Sequence, residues 1–302
     1  MINKKLYYWV SEISSKSGEG RLAFFFIDHL KKKYVPIRIC RQKSRYKFIN
    51  KLLNQKYISP FVGVIYCWIF FLRGKSVSFI NYLPLWNFLI FLLLPPSSII
   101  GPITGGAKFK IKNNYFRLVI FPIFYKISEL IISLRNFDVI FSTDLLKKYL
   151  SKNTIKNSSF NYAISNFRIS TNIKKKNDDF LIYYRKHKNK ENFFPIDKIK
   201  YLVSKGYKVN IIGNRLNLPK VINHGLLSRK KVERLQKKSK FTLYSGENLY
   251  SIFILECISK NMYVLTDKSE KKNVNHFIRN FIFTDFKKNF QIKFLKKLNN
   301  LY

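Results

Sequence analysis

The sequence predicts an α/β fold with parallel sheets, arranged in two successive units. Three observations carry that expectation. Short apolar runs alternate with amphipathic stretches along the chain, the rhythm of strands joined by crossover helices. The rhythm breaks at the polar stretch STNIKKKNDD, residues 170–179, and restarts cleanly after it. Hydrophobic residues make up 47% of the 302 and aromatics 17%, enough for a substantial core.

In the first half, residues 6–10 (LYYWV) read as a strand. A polar loop with Gly18 and Gly20 and a helix over 21–33 follow. Residues 35–40 and 77–82 read as further strands. Residues 98–100 run into GPITGG at 101–106, a turn-rich loop whose glycines ask for close approach to the backbone. A helix over 115–134 precedes a strand at 138–142 and a short helix at 144–150. Two more apolar runs, 61–72 and 86–94, fall short of the about 20 residues a membrane span needs. They read as buried core elements, with contact at a membrane interface as the alternative.

After residues 170–179, read as a linker in which Asp178 and Asp179 are solvated, strands are expected at 180–184, 207–212 and 220–222. Helices are expected at 196–204 and 228–237, with Ser228 as N-cap. A strand at 241–244, a small-residue loop (Ser245, Gly246), a helix bearing Glu256 and a strand at 262–265 complete this half. Residues 287–302 read as a basic amphipathic helix packing back on the first half. The expected domains are therefore 1–169 and 180–286.

Lys and Arg number 57 against 16 Asp and Glu, a net charge of +41. Such an excess suits nucleic acid, an anionic membrane surface or a polyphosphate-bearing substrate. Codon usage rich in A and T is a competing source, because Ile, Asn, Phe and Tyr are abundant as well. Lys is scattered over every segment, and no arginine-rich arm marks a nucleic-acid stripe. The three cysteines (Cys40, Cys67, Cys257) are widely separated and fit neither a zinc site nor a disulfide framework, so a reducing cytoplasm is expected. The first residues lack the apolar core of a signal peptide. No pair of the four histidines has metal-ligand spacing, and no acidic pair precedes a small loop, so no catalytic metal is expected. Neither a G-x-S-x-G elbow nor a Cys–His arrangement suggests nucleophilic hydrolysis.

Four stretches carry candidate chemistry. Arg185 and Lys190 leave the C-terminal edge of a strand, where ligands of open α/β sheets sit, and two cations there can hold a diphosphate. SKSGEG (15–20) opens a helix, where backbone N–H groups favour an anion or a sugar hydroxyl. GPITGG is the third. The fourth runs from His224, which either caps a helix or faces a nucleotide base, to FTLYSGENLYSIFILECISKNMYVLTD at 241–267. That run sets Glu247 at a loop-to-helix junction and Glu256 about two turns into the helix.

In this order the motifs resemble the GT-B glycosyltransferases of the large retaining family 4, glycosyltransferase group 1. GEG at 18–20 is similar to that family's acceptor-side loop, IGPITGG at 100–106 to its GP-x-GG segment, and Arg185 with Lys190 to its R-x4-K. The family's acidic motif is E-x7-E. Here eight residues separate Glu247 from Glu256, and Asn248 stands where the first glutamate would fall. Either Glu247 or Asn248 takes its place.

The resemblance implies two Rossmann-like domains facing a cleft and a nucleotide-sugar donor, with no bound cofactor. It implies transfer with retention and without a bound metal, and the cation excess fits a cell-envelope glycan or lipid-linked acceptor at an anionic membrane surface, on its cytoplasmic side. By the same resemblance Arg185, Lys190 and Glu247 are catalytic. Gly18, Gly20, Gly105, Gly106, His224, Asn248 and Glu256 would contact donor or acceptor. A basic nucleic-acid-binding protein and an inactive scaffold of the same fold are the alternatives.

Overall fold

A computed structural model describes residues 4–14, 17–39, 58–104, 115–171, 176–186, 194–246 and 248–284, with backbone alone at Tyr82 and Arg117. Lys190, Glu247, Gly105, Gly106 and the helix expected over 287–302 lie outside them. The chain divides into two compact units, Met1–Asn166 and Phe167–Tyr302.

The first unit holds β1 (Lys5–Val10), α1 (Gly18–Leu30), β2 (Val35–Arg38), α2 (Ser59–Leu72), β3 (Ser76–Leu83), α3 (Phe88–Leu93), β4 (Ile99–Ile103), α4 (Phe121–Leu134), β5 (Asp138–Phe141), α5 (Lys152–Lys156) and β6 (Ser158–Ser159). A π-helical turn, Phe116–Ile120, leads into α4. The six strands form one parallel sheet in the order β2-β1-β3-β4-β5-β6. Successive side chains alternate between its two faces, as the strand period of two requires. Leu6, Tyr8, Val10, Ile80 and Ile140 pack under α1 with Ala23 and Phe26. Trp9, Phe79, Ile100 and Phe141 pack with Cys67, Phe91 and Ile132 of the helices on the opposite face.

Two glycines set the close packing here. A Cβ on Gly63 of α2 would collide with the Trp9 indole, so the bare backbone lets α2 settle on β1. A Cβ on Gly101 would collide with the Phe26 ring and lie 2.9 Å from the Ile140 carbonyl oxygen. This corrects the reading of GPITGG as a loop from its first residue. Gly101, Pro102 and Ile103 belong to β4, and the close approach at Gly101 is made by the protein's own core. The segment expected as a helix at 144–150 is instead a turn with one 3₁₀ turn (Lys147–Tyr149), and α5 starts at Lys152 behind its N-cap Ser151.

The second unit holds β7 (Asp178–Tyr184), α6 (Ile196–Ser204), β8 (Val209–Gly213), β9 (Ile222–Gly225), α7 (Arg229–Lys238), β10 (Ser239–Leu243), α8 (Ile252–Ser259), β11 (Tyr263–Asp267) and β12 (Phe281–Thr284). Its six strands are also parallel, in the order β12-β11-β10-β7-β8-β9. Phe180, Ile182, Ile211 and Leu243 pack against Ile199 and Leu202 of α6. Leu181, Ile212 and Met262 face Cys257 of α8 and Val232 of α7. The α/β class with two Rossmann-like sheets is therefore as the sequence predicts.

Asp178 and Asp179 are not solvated linker residues. Asp178 is buried and opens β7, its Oδ1 2.6 Å from Lys208 Nζ, and Asp179 Oδ2 accepts the Lys208 N–H at 2.9 Å. The strand starts early because Lys208 neutralises the carboxylate that enters the sheet. Nearby, Lys176 is buried and its ammonium donates to the Ser239 and Lys260 carbonyl oxygens, both at 2.8 Å.

Candidate functional site

A parallel sheet opens a crevice where strand order reverses, because loops on either side leave in opposite directions. In the second unit the chain runs from β7 outward to β8 and β9, then returns to place β10 on the other side of β7. The reversal therefore lies between β7 and β10. Arg185 directly follows β7, and Tyr244, Ser245 and Gly246 directly follow β10.

Arg185 is exposed, and its backbone is held on both sides. The Asn214 N–H donates to the Tyr184 carbonyl oxygen at 2.9 Å, and Asn214 Oδ1 accepts the Lys186 N–H at 2.9 Å. That staple depends on Gly213, whose φ of +99° favours glycine and where a Cβ would collide with the Tyr184 carbonyl oxygen. Asn214 escaped the reading of the sequence, although a Gly-Asn pair closing a strand is a turn signal.

Across the crevice, the Tyr244 N–H donates to the Leu265 carbonyl oxygen at 3.0 Å. Asn248 Oδ1 accepts the Tyr250 N–H at 2.9 Å, a turn made by the side chain on its own backbone. Ser251 then caps α8 by accepting the Ile254 N–H. The buried Tyr250 hydroxyl accepts the N–H groups of Asn275 and His276, each at 2.9 Å, and so ties that loop to the start of α8. Asp267, at the end of β11, has both carboxylate oxygens 2.7 Å from Lys198 Nζ.

The other expected residues of this unit that are described have contacts of their own. His224 does not follow a strand: it sits within β9, half-buried, with Nε2 2.8 Å from Oδ1 of the buried Asn210 on β8. The edge strand starts and ends later than expected because pairing with β8 runs on to Gly225. Glu256 lies on α8 one turn before its end. It lines a groove between α7 and α8 with Arg229, Glu233, Gln236 and Lys260, a set without Arg185, His224 or Asn248. In that groove, hydrogen bonds from Lys260 and Lys237 hold the Glu233 carboxyl below its usual range.

In the first unit the order reverses between β1 and β3. Ser11 beyond β1 donates through Oγ to Asn81 Oδ1 of β3 at 2.8 Å, and α1 starts above them behind its N-cap Ser17. The sequence places Gly18 and Gly20 in a loop ahead of the helix; both instead lie in the first turn of α1, because Ser17 caps it three residues earlier, and they differ. A Cβ on Gly20 would collide with the Ser14 backbone N and lie 2.6 Å from its carbonyl oxygen, so its own loop requires glycine there. Gly18 is exposed, and among the described residues nothing lies within 4 Å of where a Cβ would stand.

Among the described residues, no three His, Cys, Asp or Glu side chains are grouped to hold a metal ion. The Cys67 and Cys257 thiols are buried, which pushes Cys67 up to about 12 and Cys257 upward as well, so neither is a nucleophile.

No protein-family model matches the chain, and no curated protein matches it. Solved structures resemble it. A protein assigned as a UDP-N-acetylglucosamine 2-epimerase from Listeria monocytogenes superposes with a TM-score of 0.46 and 8% identity, over 88% of this chain and 79% of that one. The E. coli heptosyltransferase WaaC with ADP gives a TM-score of 0.36 and 10% identity over 98% and 99% of the two chains. The same enzyme with ADP-2-deoxy-2-fluoro heptose gives 0.34 and 8% over 98% and 99%.

Proposed function

We propose that the chain is a glycosyltransferase that moves a sugar from a nucleotide-sugar donor to a cell-envelope glycan or lipid-linked acceptor, with retention of configuration. The observation that supports this reading most is the placement of Arg185 after β7 and of residues 244–246 after β10, on the two sides of the strand-order reversal of the second sheet. A nucleoside diphosphate fits such a crevice: the guanidinium takes phosphate oxygens through a bidentate fork, and the small residues of the loop admit the ligand.

In the proposed reaction the bond between the sugar's anomeric carbon and the diphosphate breaks, and a bond to an acceptor oxygen forms on the same face. Arg185, with Lys190, stabilises the charge that develops on the departing diphosphate. A leaving phosphate oxygen takes the acceptor proton, so no side-chain base is needed. Glu247 or the Asn248 amide would contact the sugar hydroxyls, and Gly18 would let backbone approach the acceptor. Glu256 is assigned to the nucleotide ribose by the family resemblance alone.

The test measures nucleoside diphosphate release from UDP-, GDP-, ADP- and dTDP-sugars with a lipid-linked glycan extract as acceptor. Release from one nucleotide class, lowered by about two to three orders of magnitude in Arg185→Ala with an unchanged melting temperature, is the expected result. Equal release by Arg185→Ala would remove the assignment. The same fold without turnover is the second reading. It is favoured by Asn248, whose carbonyl is engaged in its own turn, and by the placement of Glu256 in the α7–α8 groove.

A further inference from the structure

Helices α2, α3 and α4 lie side by side over one face of the first sheet. Helix α2 rests on β1 and β3, and α3 touches both α2 and α4. Their inward side chains, including Cys67, Phe91 and Ile132, are buried. The outward side of the same layer is also apolar. On α2, Phe61, Ile65 and Leu72 are exposed by 42%, 59% and 77%; on α3, Leu92 by 45%; on α4, Leu130 and Leu134 by 60% and 76%. This corrects the reading of residues 61–72 and 86–94 as buried core elements, since each helix buries one side and shows hydrocarbon on the other. Monomeric proteins rarely leave an apolar surface of this extent uncovered.

A second observation says what covers it. Between His29 and Ser128 the chain carries 17 Lys and Arg and no Asp or Glu, and this stretch supplies all of α2 and α3 and the start of α4. Codon bias toward A and T would enrich Lys, but Asp and Glu codons are rich in A and T too, so it does not explain their absence. Arg73 and Lys75, exposed at the end of α2, border the apolar stripe. A second copy of the chain would set like charges face to face. A nucleic acid would match the cations and leave the Leu and Ile side chains in water. A bilayer with anionic headgroups meets both requirements, cations at the headgroups and side chains in the acyl boundary below them. Helices α2 and α4 are 14 residues each, and no described helix is long and apolar enough to cross a membrane, so the layer would lie in the interface.

We propose that the outer face of the α2–α4 layer is the surface by which this protein docks on an anionic lipid bilayer. This deepens the acceptor side of the proposed transfer and rests on it only for the meaning of the location. Binding is read without donor, so failure of the docking face leaves the donor site standing, and an inert enzyme leaves the docking face standing.

The experiment is co-sedimentation of the full chain with vesicles of phosphatidylcholine alone and of phosphatidylcholine mixed with phosphatidylglycerol, at low and high salt. The wild type should pellet with the anionic vesicles, more at low salt. Leu72→Ser with Leu130→Ser and Leu134→Ser should weaken that binding by about tenfold or more while the melting temperature holds, since all three side chains are exposed. Arg73→Gln with Lys75→Gln, which keeps the apolar stripe, should weaken binding at low salt and converge with the wild type at high salt. Wild-type protein that stays in the supernatant of anionic vesicles, or equal binding by the triple variant, would overturn the proposal. So would a stable dimer in solution that the triple variant dissociates.

Discussion

Arg185 stands in solvent, yet its backbone is fixed by Asn214, and Asn214 in turn depends on the left-handed Gly213. Losing one group that stabilises developing charge costs about 2.7–4 kcal/mol, so Arg185→Ala should lower turnover by about two to three orders of magnitude with little change in folding. In the proposed reaction Asn214 would act through position alone. Asn214→Ala should lower kcat, and Asn214→Asp, which keeps the accepting oxygen, should restore most of it; equal defects in both would remove the positioning role.

Lys176 makes a prediction about pH. Burial lowers it from its ordinary value to about 8, so between about pH 8 and its unfolded pKa the native state releases a proton that the unfolded chain still holds. Stability therefore rises with pH through that window. Denaturant titrations should show the wild type gaining on Lys176→Met between pH 8 and pH 10; a constant difference would contradict it.

At the scale of elements, glycines that meet the core decide where helices and strands lie. Gly101→Ala forces a methyl against Phe26 and the Ile140 carbonyl oxygen and should cost about 1–3 kcal/mol in denaturant unfolding. An unchanged midpoint would mean that β4 gives way more easily than its packing implies. The same residue shows what a sequence hides. Short apolar runs placed the strands, because LYYWV of β1 and FLIYY of β7 are local signals. The partner of Gly101 is Phe26 on α1, far away in the chain, so the glycine's demand could be read but its cause could not. Asp178 is a similar case: nothing local tells that Lys208, 30 residues on, waits beside it. The place of Arg185 directly after a strand was legible. Asn214, the Tyr250 hydroxyl and the Lys198–Asp267 pair were not, since each contact joins segments that only the fold brings together.

For the whole molecule, two parallel six-stranded sheets with reversed strand order give each unit one crevice, and the second has a cation beside its own. The strands of both sheets follow from the sequence, whereas the outward hydrocarbon of α2 and α3 does not, because a uniformly apolar run looks the same buried or exposed. The net charge of +41 is the term that would draw such a chain to anionic partners in the proposed docking. The central claim is that the crevice beside Arg185 binds a nucleotide sugar. Thermal unfolding with UDP-, GDP-, ADP- and dTDP-sugars, with short DNA as control, tests it most directly. At about 100 times the dissociation constant a ligand adds about 2.7 kcal/mol, so one nucleotide class should raise the melting temperature of the wild type and leave Arg185→Ala nearly unmoved. A shift with DNA alone, or equal shifts in both proteins, would contradict the account.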